Sequence, residues 1–414
     1  MTTLIKPFRA LRPIAERAAD VAAPPYDVLN TDEARSRAEG RPLSFLHISK
    51  PEIDLAPDTD PFSPEVYARG SENLNALIDD GVLIRDATPC YYVYRLTMGD
   101  HIQTGLICVG NVADYDSNRI RKHEFTRPQK EDDRVRQITA LNAQTGPVLV
   151  TYRASDDVKV MLDEIASQAP IYDLVADDGI GHTVWIIEDS ITIQRLTQLF
   201  DAMDALYIAD GHHRSASASR VAAARKAANP DHTGDEDYNY FLCVAFPHDE
   251  TQILDYNRVI RDLNHHTTDA LLKRIAGPFT VTPEKQPVHP GHPGQFGMYL
   301  DGQWYRLDIR PDLIPADDPV GRLNVSLLQD NLIGPMLGIA DQRTDDRIDF
   351  VGGIRGLKEL ERRVDSGEMQ VAFALYPTSM EALMAVADTN EVMPLKSTWF
   401  EPKLADGLVS HVLD

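Results

Sequence analysis

Apolar positions along this chain follow two periods. Between residues 65 and 83 they return every three or four places, at Val66, Leu74, Leu77 and Ile78, with Gly81 near the end, and so predict an amphipathic helix. Ile191, Leu196, Leu199, Phe200 and Met203 make a second helical stripe, and residues 157–167 and 357–364 predict two further helices. Elsewhere the apolar residues alternate or run together. Residues 91–96 and 105–112 predict paired strands around Met98-Gly99-Asp100, and residues 171–175, 182–187 and 370–375 predict others. Residues 240–246, YFLCVAF, are unbroken, the pattern of a strand covered on both faces. Residues 298–307 read as a hairpin turning at Asp301-Gly302. Shorter signals give a strand at 44–48, the end of a helix at 271–279, a helix start at 325–328 and a glycine turn at 350–356. Thr378 with Glu381 three places on predicts a capping box before the next helix. Helices and strands interleave from end to end, so the fold class expected is α/β, mixed α and β.

Length sets how many cores such a chain builds. A single core stops growing at about 250–300 residues, so 414 residues predict subdomains. The expected borders give a mixed α/β region at 1–115, a core at 116–310 and a further α/β region at 320–414, beyond the acidic linker 311–319. Acidic residues number 64 against 41 basic ones, a formal charge of −23 spread along the chain. Such a field repels phosphates, and no nucleic-acid partner is expected. No apolar run approaches the roughly 20 residues of a membrane span, and the start MTTLIKPFRALRP has no signal-peptide pattern. Cys90, Cys108 and Cys243 lie far apart without CxxC spacing, which fits a reducing compartment and argues against a zinc or disulfide framework. A cytoplasmic protein with no membrane partner is expected, its oligomeric state unknown.

Candidate chemistry gathers in three stretches. In residues 206–218, LYIADGHHRSASA, an apolar β-type run ends at Asp210, Gly211 permits a tight turn, and an alanine-rich helix continues to Asn229-Pro230. The unpaired N–H groups of a first helical turn, with the helix dipole, make an anion site, and His212, His213 and Arg214 add donors and positive charge. Residues 120–134 are dense in charge of both signs. They read either as a solvated face or as a phosphate site through Lys130, Arg127 and Arg134, with Asp132 or Asp133 on a divalent cation. Residues 391–403, EVMPLKSTWFEPK, suit neither helix nor strand. There Lys396, Ser397 and Thr398 offer an ammonium and two hydroxyls to a carboxylate or phosphate, beside Trp399 and Phe400. Near the start, two prolines set an extended arm at 22–28, in which Tyr26 and Asp27 are minor candidates for lining a site.

PPYDV at 24–28, KHEFTRP at 122–128, ADGHHR at 209–214 and KSTWFEPK at 396–403 resemble, over the whole length, a widespread bacterial and archaeal family catalogued as a domain of unknown function. The DGHHR turn, the His123-Glu124 pair and the C-terminal loop also resemble the free-serine kinases of the ParB/sulfiredoxin-like superfamily. That resemblance implies a ParB/sulfiredoxin-like core with additional mixed α/β subdomains. It implies Glu124 as the general base for a hydroxyl, with Asp210 and His213 beside it in catalysis. Gly211, His212 and Arg214 would hold nucleotide phosphates, and Lys396, Ser397 and Thr398 the substrate's carboxylate. The ligands it implies are Mg²⁺ with ATP or ADP, and free L-serine. Glu124 and Asp210 stand further apart in sequence here than in those kinases, so the fold has to bring them together. Asn390 replaces a usual glycine, a change that a left-handed backbone tolerates, and Leu395 replaces a usual proline.

The function expected is phosphoryl transfer to a small hydroxylated metabolite. The alternative is a nucleotide-binding regulatory protein that keeps the phosphate turn without turnover. A third reading, a metal hydrolase using Asp210, His212 and His213, has against it the adjacency of the histidines and the absence of HExxH.

Overall fold

The computed structural model describes residues 3–414. The chain divides into two compact units, Met1–Thr251 with Pro402–Asp414, and Gln252–Glu401. The borders expected at 115/116 and at 310/320 both fall inside units, because strands on either side of each belong to one sheet or one core.

The first unit is built on a nine-stranded mixed sheet. Its strands run in the order Ile120–Arg121, Leu206–Asp210, Val148–Tyr152, Tyr240–Pro247, His101–Asn111, Tyr91–Met98, Gly181–Ile187 and Tyr172–Val175, and Ile5–Lys6 also pairs with His101–Asn111. Ile120–Arg121 with Leu206–Asp210, and Tyr240–Pro247 with Val148–Tyr152, are parallel pairs, and the rest are antiparallel. The unbroken YFLCVAF run is a central strand buried at every position, as its pattern requires. Cys243 lies opposite Cys108 there with sulfurs 3.5 Å apart, and all three cysteines are buried and free. The predicted helical stripes cover the sheet: Leu196 and Phe200 from Ser190–Asp201, Val158 and Leu162 from Asp156–Ala166, and Ala218, Val221 and Ala222 from His212–Ala228 join Val150, Leu206, Ile208 and Ala245 in one cluster. Each large aliphatic side chain so buried contributes about 1.5–3 kcal/mol, which fixes the strand ends that carry the site.

A second cluster in this unit packs Leu74 and Leu77 of the helix Pro64–Asp79 against Phe45, Leu46, Ile48, Val21 and Ala23. Residues 44–48 are therefore not the strand expected. Leu46–Ser49 is a helical turn, closed by Ser49 N–H to the Phe45 carbonyl, because Phe45, Leu46 and Ile48 all enter the same core and a two-residue alternation cannot place them there. The arm at 22–28 is extended through Pro25 and then turns as a short 3-10 helix, Tyr26–Val28. Ala23 and Asp406 exchange backbone hydrogen bonds, which ties the arm to the last segment of the chain.

The second unit has a six-stranded, wholly antiparallel sheet in the order Phe279–Glu284, Gln303–Ile309, Gln295–Leu300, Val371–Leu375, Tyr256–Ile260 and Ile348–Gly352. The Asp301-Gly302 hairpin forms as expected, whereas three expectations shift. Thr268–Ile275 is the helix and Phe279 already begins a strand. Phe350, Val351 and Gly352 pair with Tyr256–Ile260, so the glycine turn starts only at Gly353. A Cβ on Gly352 would stand 2.8 Å from the Trp399 indole, which is why that strand residue has no side chain. Ser379, not Thr378, caps the helix Met380–Asp388, its hydroxyl accepting from Ala382 N–H at 3.1 Å, while the Thr378 hydroxyl donates to the Ser397 carbonyl at 2.9 Å.

Candidate functional site

Asp210 stands at the C-terminal end of the strand Leu206–Asp210, and the helix His212–Ala228 leaves from the next residue but one. Gly211 makes the junction at φ +97°, a conformation that favours glycine, and a Cβ there would also lie 3.1 Å from Arg214 Nε. No side chain caps the helix; the Gly211 N–H donates to Asp210 Oδ1 at 3.1 Å.

The KHEFTRP loop packs onto this turn. His123 N–H donates to His212 Nε2 at 3.4 Å, and Arg127 N–H donates to His213 Nε2 at 3.0 Å. An accepting Nε2 puts the proton of neutral His212 on Nδ1, which faces Glu124 Oε2 at 3.9 Å. Two motifs far apart in sequence thus meet at one helix terminus. Glu124 keeps 43% of its side chain exposed. His123 and His212 are buried, and burial pushes His123 down to about 4 and His212 well below its ordinary value. His213, half-buried, shifts down for the same reason.

Asp210 lies 3.4 Å from Arg214 Nη2 and 3.4 Å from Lys403 Nζ. Burial alone would raise its pKa, but Lys403 and Arg214 outweigh burial and hold the carboxyl well below the usual range. Arg214 also reaches Asp27 Oδ2 at 3.5 Å and donates to the Pro147 carbonyl, and these acids keep it charged despite burial. Asp406 is 1% exposed, and neither of its oxygens has a hydrogen-bond partner. Desolvation raises it to about 7 against the pull of Arg214 and Arg134. Asp406, Arg214, Arg134, Tyr26, Ser49 and Gly146 are among the residues that line one small pocket, together with apolar Ile138, Val148 and Leu242.

The other expected residues have settled differently. Asp133 accepts from Tyr67 Oη at 2.9 Å with one oxygen and from Arg134 Nη2 at 2.7 Å with the other, and Asp132 pairs with Arg220 at 2.7 Å. Both carboxylates are therefore engaged by the protein's own donors, and they do not fit the role of Mg²⁺ ligands. Arg134 gives Nε and Nη2 to Asp133 and lies 3.9 Å over the Tyr26 ring, a structural anchor for the arm rather than an open phosphate donor. Lys130 is exposed, 6.0 Å from the Phe62 ring. Lys396, Ser397 and Thr398 belong to the second unit, where Lys396 adopts φ +57° with Nζ 5.4 Å from the Tyr256 ring and the buried Ser397 hydroxyl donates to the Pro394 carbonyl at 2.6 Å. Asn390, at φ +58°, takes the left-handed conformation that its replacement of glycine requires.

Sequence reasoning missed Lys403 and Asp406. Lys403 closes the KSTWFEPK motif and could have been singled out as its second cation. Asp406 carries no local signal, since only burial distinguishes it from the other acids. Among the described residues, no helix is long and apolar enough to cross a membrane.

Comparison with known proteins places the chain in a family. The family profile described as a protein of unknown function (DUF1015) matches residues 5–326, and the chain belongs to that family. No curated protein matches it. Among solved structures, a free serine kinase in complex with AMP is 11% identical at a TM-score of 0.35, with 73% of this chain and 92% of that one covered. SbnI with a C-terminal truncation from Staphylococcus aureus is 14% identical at 0.39, covering 73% and 86%. A conserved hypothetical protein from Pyrococcus furiosus is 12% identical at 0.34, covering 74% and 94%.

Proposed function

We propose that this member of the DUF1015 family is a phosphotransferase acting on the hydroxyl of a small metabolite, by its motif resemblance free L-serine, with ATP or ADP as donor. The observation that carries the reading is the approach of Glu124 to the DGHHR turn, 3.9 Å from His212, with Lys403 and Arg214 flanking Asp210 on the same turn. Phosphoryl transfer needs positioning and charge neutralisation more than covalent chemistry, and this terminus supplies both.

In this reading Glu124 takes the proton of the substrate hydroxyl as its oxygen bonds to the terminal phosphorus of the nucleotide. The bond from that phosphorus to the bridging oxygen breaks, and the electron pair leaves with the shortened nucleotide. Lys403 and Arg214 neutralise the charge gathering on phosphate oxygens, with Asp210 holding both cations in place. His213 fixes the loop that carries Glu124 through the Arg127 N–H. Lys396 is the group of the C-terminal motif proposed to take the substrate's carboxylate. Mg²⁺ bound with the nucleotide would supply further charge neutralisation at the phosphates, and Asp132 and Asp133, already paired within the protein, would not hold it.

The test is phosphoserine formation from L-serine, Mg²⁺ and either ATP or ADP. Product is expected, and Glu124→Gln should reduce its rate by about a hundredfold or more, the scale of a positioned general base. Absence of product with both donors overturns the reading, and if nucleotide is still bound, the regulatory alternative takes its place.

A further inference from the structure

His123 is 2% exposed, and neither of its ring nitrogens has a hydrogen-bond partner; the Ile208 carbonyl beside the ring falls short of bonding geometry. A buried polar group left unpaired in this way calls for a ligand or a solvent molecule. His212 stands edge-on to it, with ring centroids 4.5 Å apart at 87°. One ligand atom each from His123, Glu124 and His212 lie within 4.8 Å of one another, and no other such group of three His, Cys, Asp or Glu occurs among the described residues.

We infer that His123, Glu124 and His212 form a binding site for a first-row divalent ion such as Zn²⁺, and that a bound ion opposes the action of Glu124 as a base. The first half stands on the site geometry alone; the second rests on the proposed phosphotransferase reading. Two imidazoles and one carboxylate suit Zn²⁺, Co²⁺ or Fe²⁺, whereas Mg²⁺ and Ca²⁺ prefer oxygen ligands throughout. This is not the trio the sequence suggested. His213 is turned to the Arg127 N–H, and Asp210 is held by Lys403 and Arg214, so neither joins.

Metal–nitrogen bonds of about 2.0–2.1 Å bring tetrahedral ligands to roughly 3.3–3.5 Å from one another, so the trio must contract. Glu124 sits exposed on a loop and can make that movement, while the strand–helix junction fixes His212. An ion on His212 Nδ1 moves the ring proton to Nε2, and the long bond from His123 N–H is given up. Three protein ligands leave a position open to water or to a phosphate oxygen. Coordination of one carboxylate oxygen withdraws charge from both and lowers the basicity of the other, so a bound ion opposes general-base action at Glu124.

The experiment dialyses the full-length, untagged chain against Zn²⁺ and, separately, Co²⁺, then measures retained metal by atomic emission. One ion per chain is expected, with retention weakened more than tenfold in Glu124→Gln and in His123→Asn, and unchanged in Cys108→Ser, which removes the one close thiol pair. Glu124→Gln changes an exposed side chain and carries the test even if His123→Asn fails to fold. No retained ion, or retention unchanged in Glu124→Gln, overturns the site. In the phosphoserine assay, Zn²⁺ should inhibit and a zinc-selective chelator should restore the rate; a bound ion without inhibition overturns the second half. Retained ion with no phosphoserine from either donor, even after a chelator has stripped the ion, leaves the metal site standing and removes the phosphotransferase reading.

Discussion

The two units bury charge in different ways. In the second, Arg258 is wholly buried on a central strand, yet it donates to the Tyr256 carbonyl and, at 3.1 Å, to the Leu395 carbonyl, with the Phe350 ring 5.2 Å from its guanidinium. Without an acid to hold its proton, burial lowers it to about 9. In the first unit, Arg214 is nearly as enclosed but faces Asp27 and Asp210, and Lys403 adds a second cation to Asp210. There too, both nitrogens of His123 and both oxygens of Asp406 are buried without hydrogen bonds, whereas the second unit leaves only single atoms of Gln252, Arg258 and Ser326 unpaired. A charge satisfied by nearby carbonyls completes a fold. Charges that face one another, beside polar atoms with no partner, are the features on which the proposed site is built.

That contrast can be broken most directly by removing the two arginines. Arg214→Met leaves Asp27 and Asp210 short of a cation and should destabilise the first unit by about 3–5 kcal/mol. Arg258→Met removes hydrogen bonds to carbonyls but strands no acid, and should cost about 1.5–3 kcal/mol. Urea unfolding followed at Trp185 for the first unit and at Trp304 and Trp399 for the second separates them; a larger loss at Arg258 would undo the distinction.

The two lysines of the C-terminal motif sharpen it further. Lys403→Met should lower kcat for phosphoserine formation by about 10–100-fold, the scale of a charge-assisted contact. Lys396→Met should instead raise KM for the hydroxyl substrate and leave kcat near its starting value. Equal effects on kcat would mean that the two lysines do not divide the work in this way.

Asp406 predicts a pH dependence of defined sign. Its folded pKa, about 7, lies above the ordinary carboxylate value, so between about pH 4 and 7 the folded state holds a proton that the unfolded state has released. Stability from this group therefore falls as pH rises through that window, by at most about 1.4 kcal/mol per pH unit, and levels off above it. Asp406→Asn should flatten the urea midpoint between pH 5 and 7 relative to wild type. His182, buried and lowered to about 4, acts in the opposite direction, its contribution lost as pH falls below about 6.5, and should be unaffected by that substitution. The smallest effect belongs to the surface: Arg306, 40% exposed with Glu284 at 3.0 Å and Asp308 at 3.1 Å, should give less than about 1 kcal/mol on conversion to Ala.

What the sequence determined by itself is what short-range physics controls. The helical stripe at 191–203, the YFLCVAF strand, the Asp301-Gly302 hairpin and the turn from Asp210 through Gly211 into an alanine-rich helix all depend on periodicity and backbone preference within a few residues. The errors at 44–48 and at Thr378 arose where a local signal was overruled by a neighbour: a shared core that wanted Phe45, Leu46 and Ile48 together, and the Ser397 carbonyl that claimed the Thr378 hydroxyl. Tertiary structure alone decided which charges meet. It brought Glu124 to His212 across 88 positions of sequence, chose Lys403 over Lys396 as the partner of Asp210, took Asp132, Asp133 and Arg134 into internal pairs, and buried Asp406 where desolvation changes its acidity. Burial and charge pairing act over ångströms in space, and no spacing along the chain encodes them.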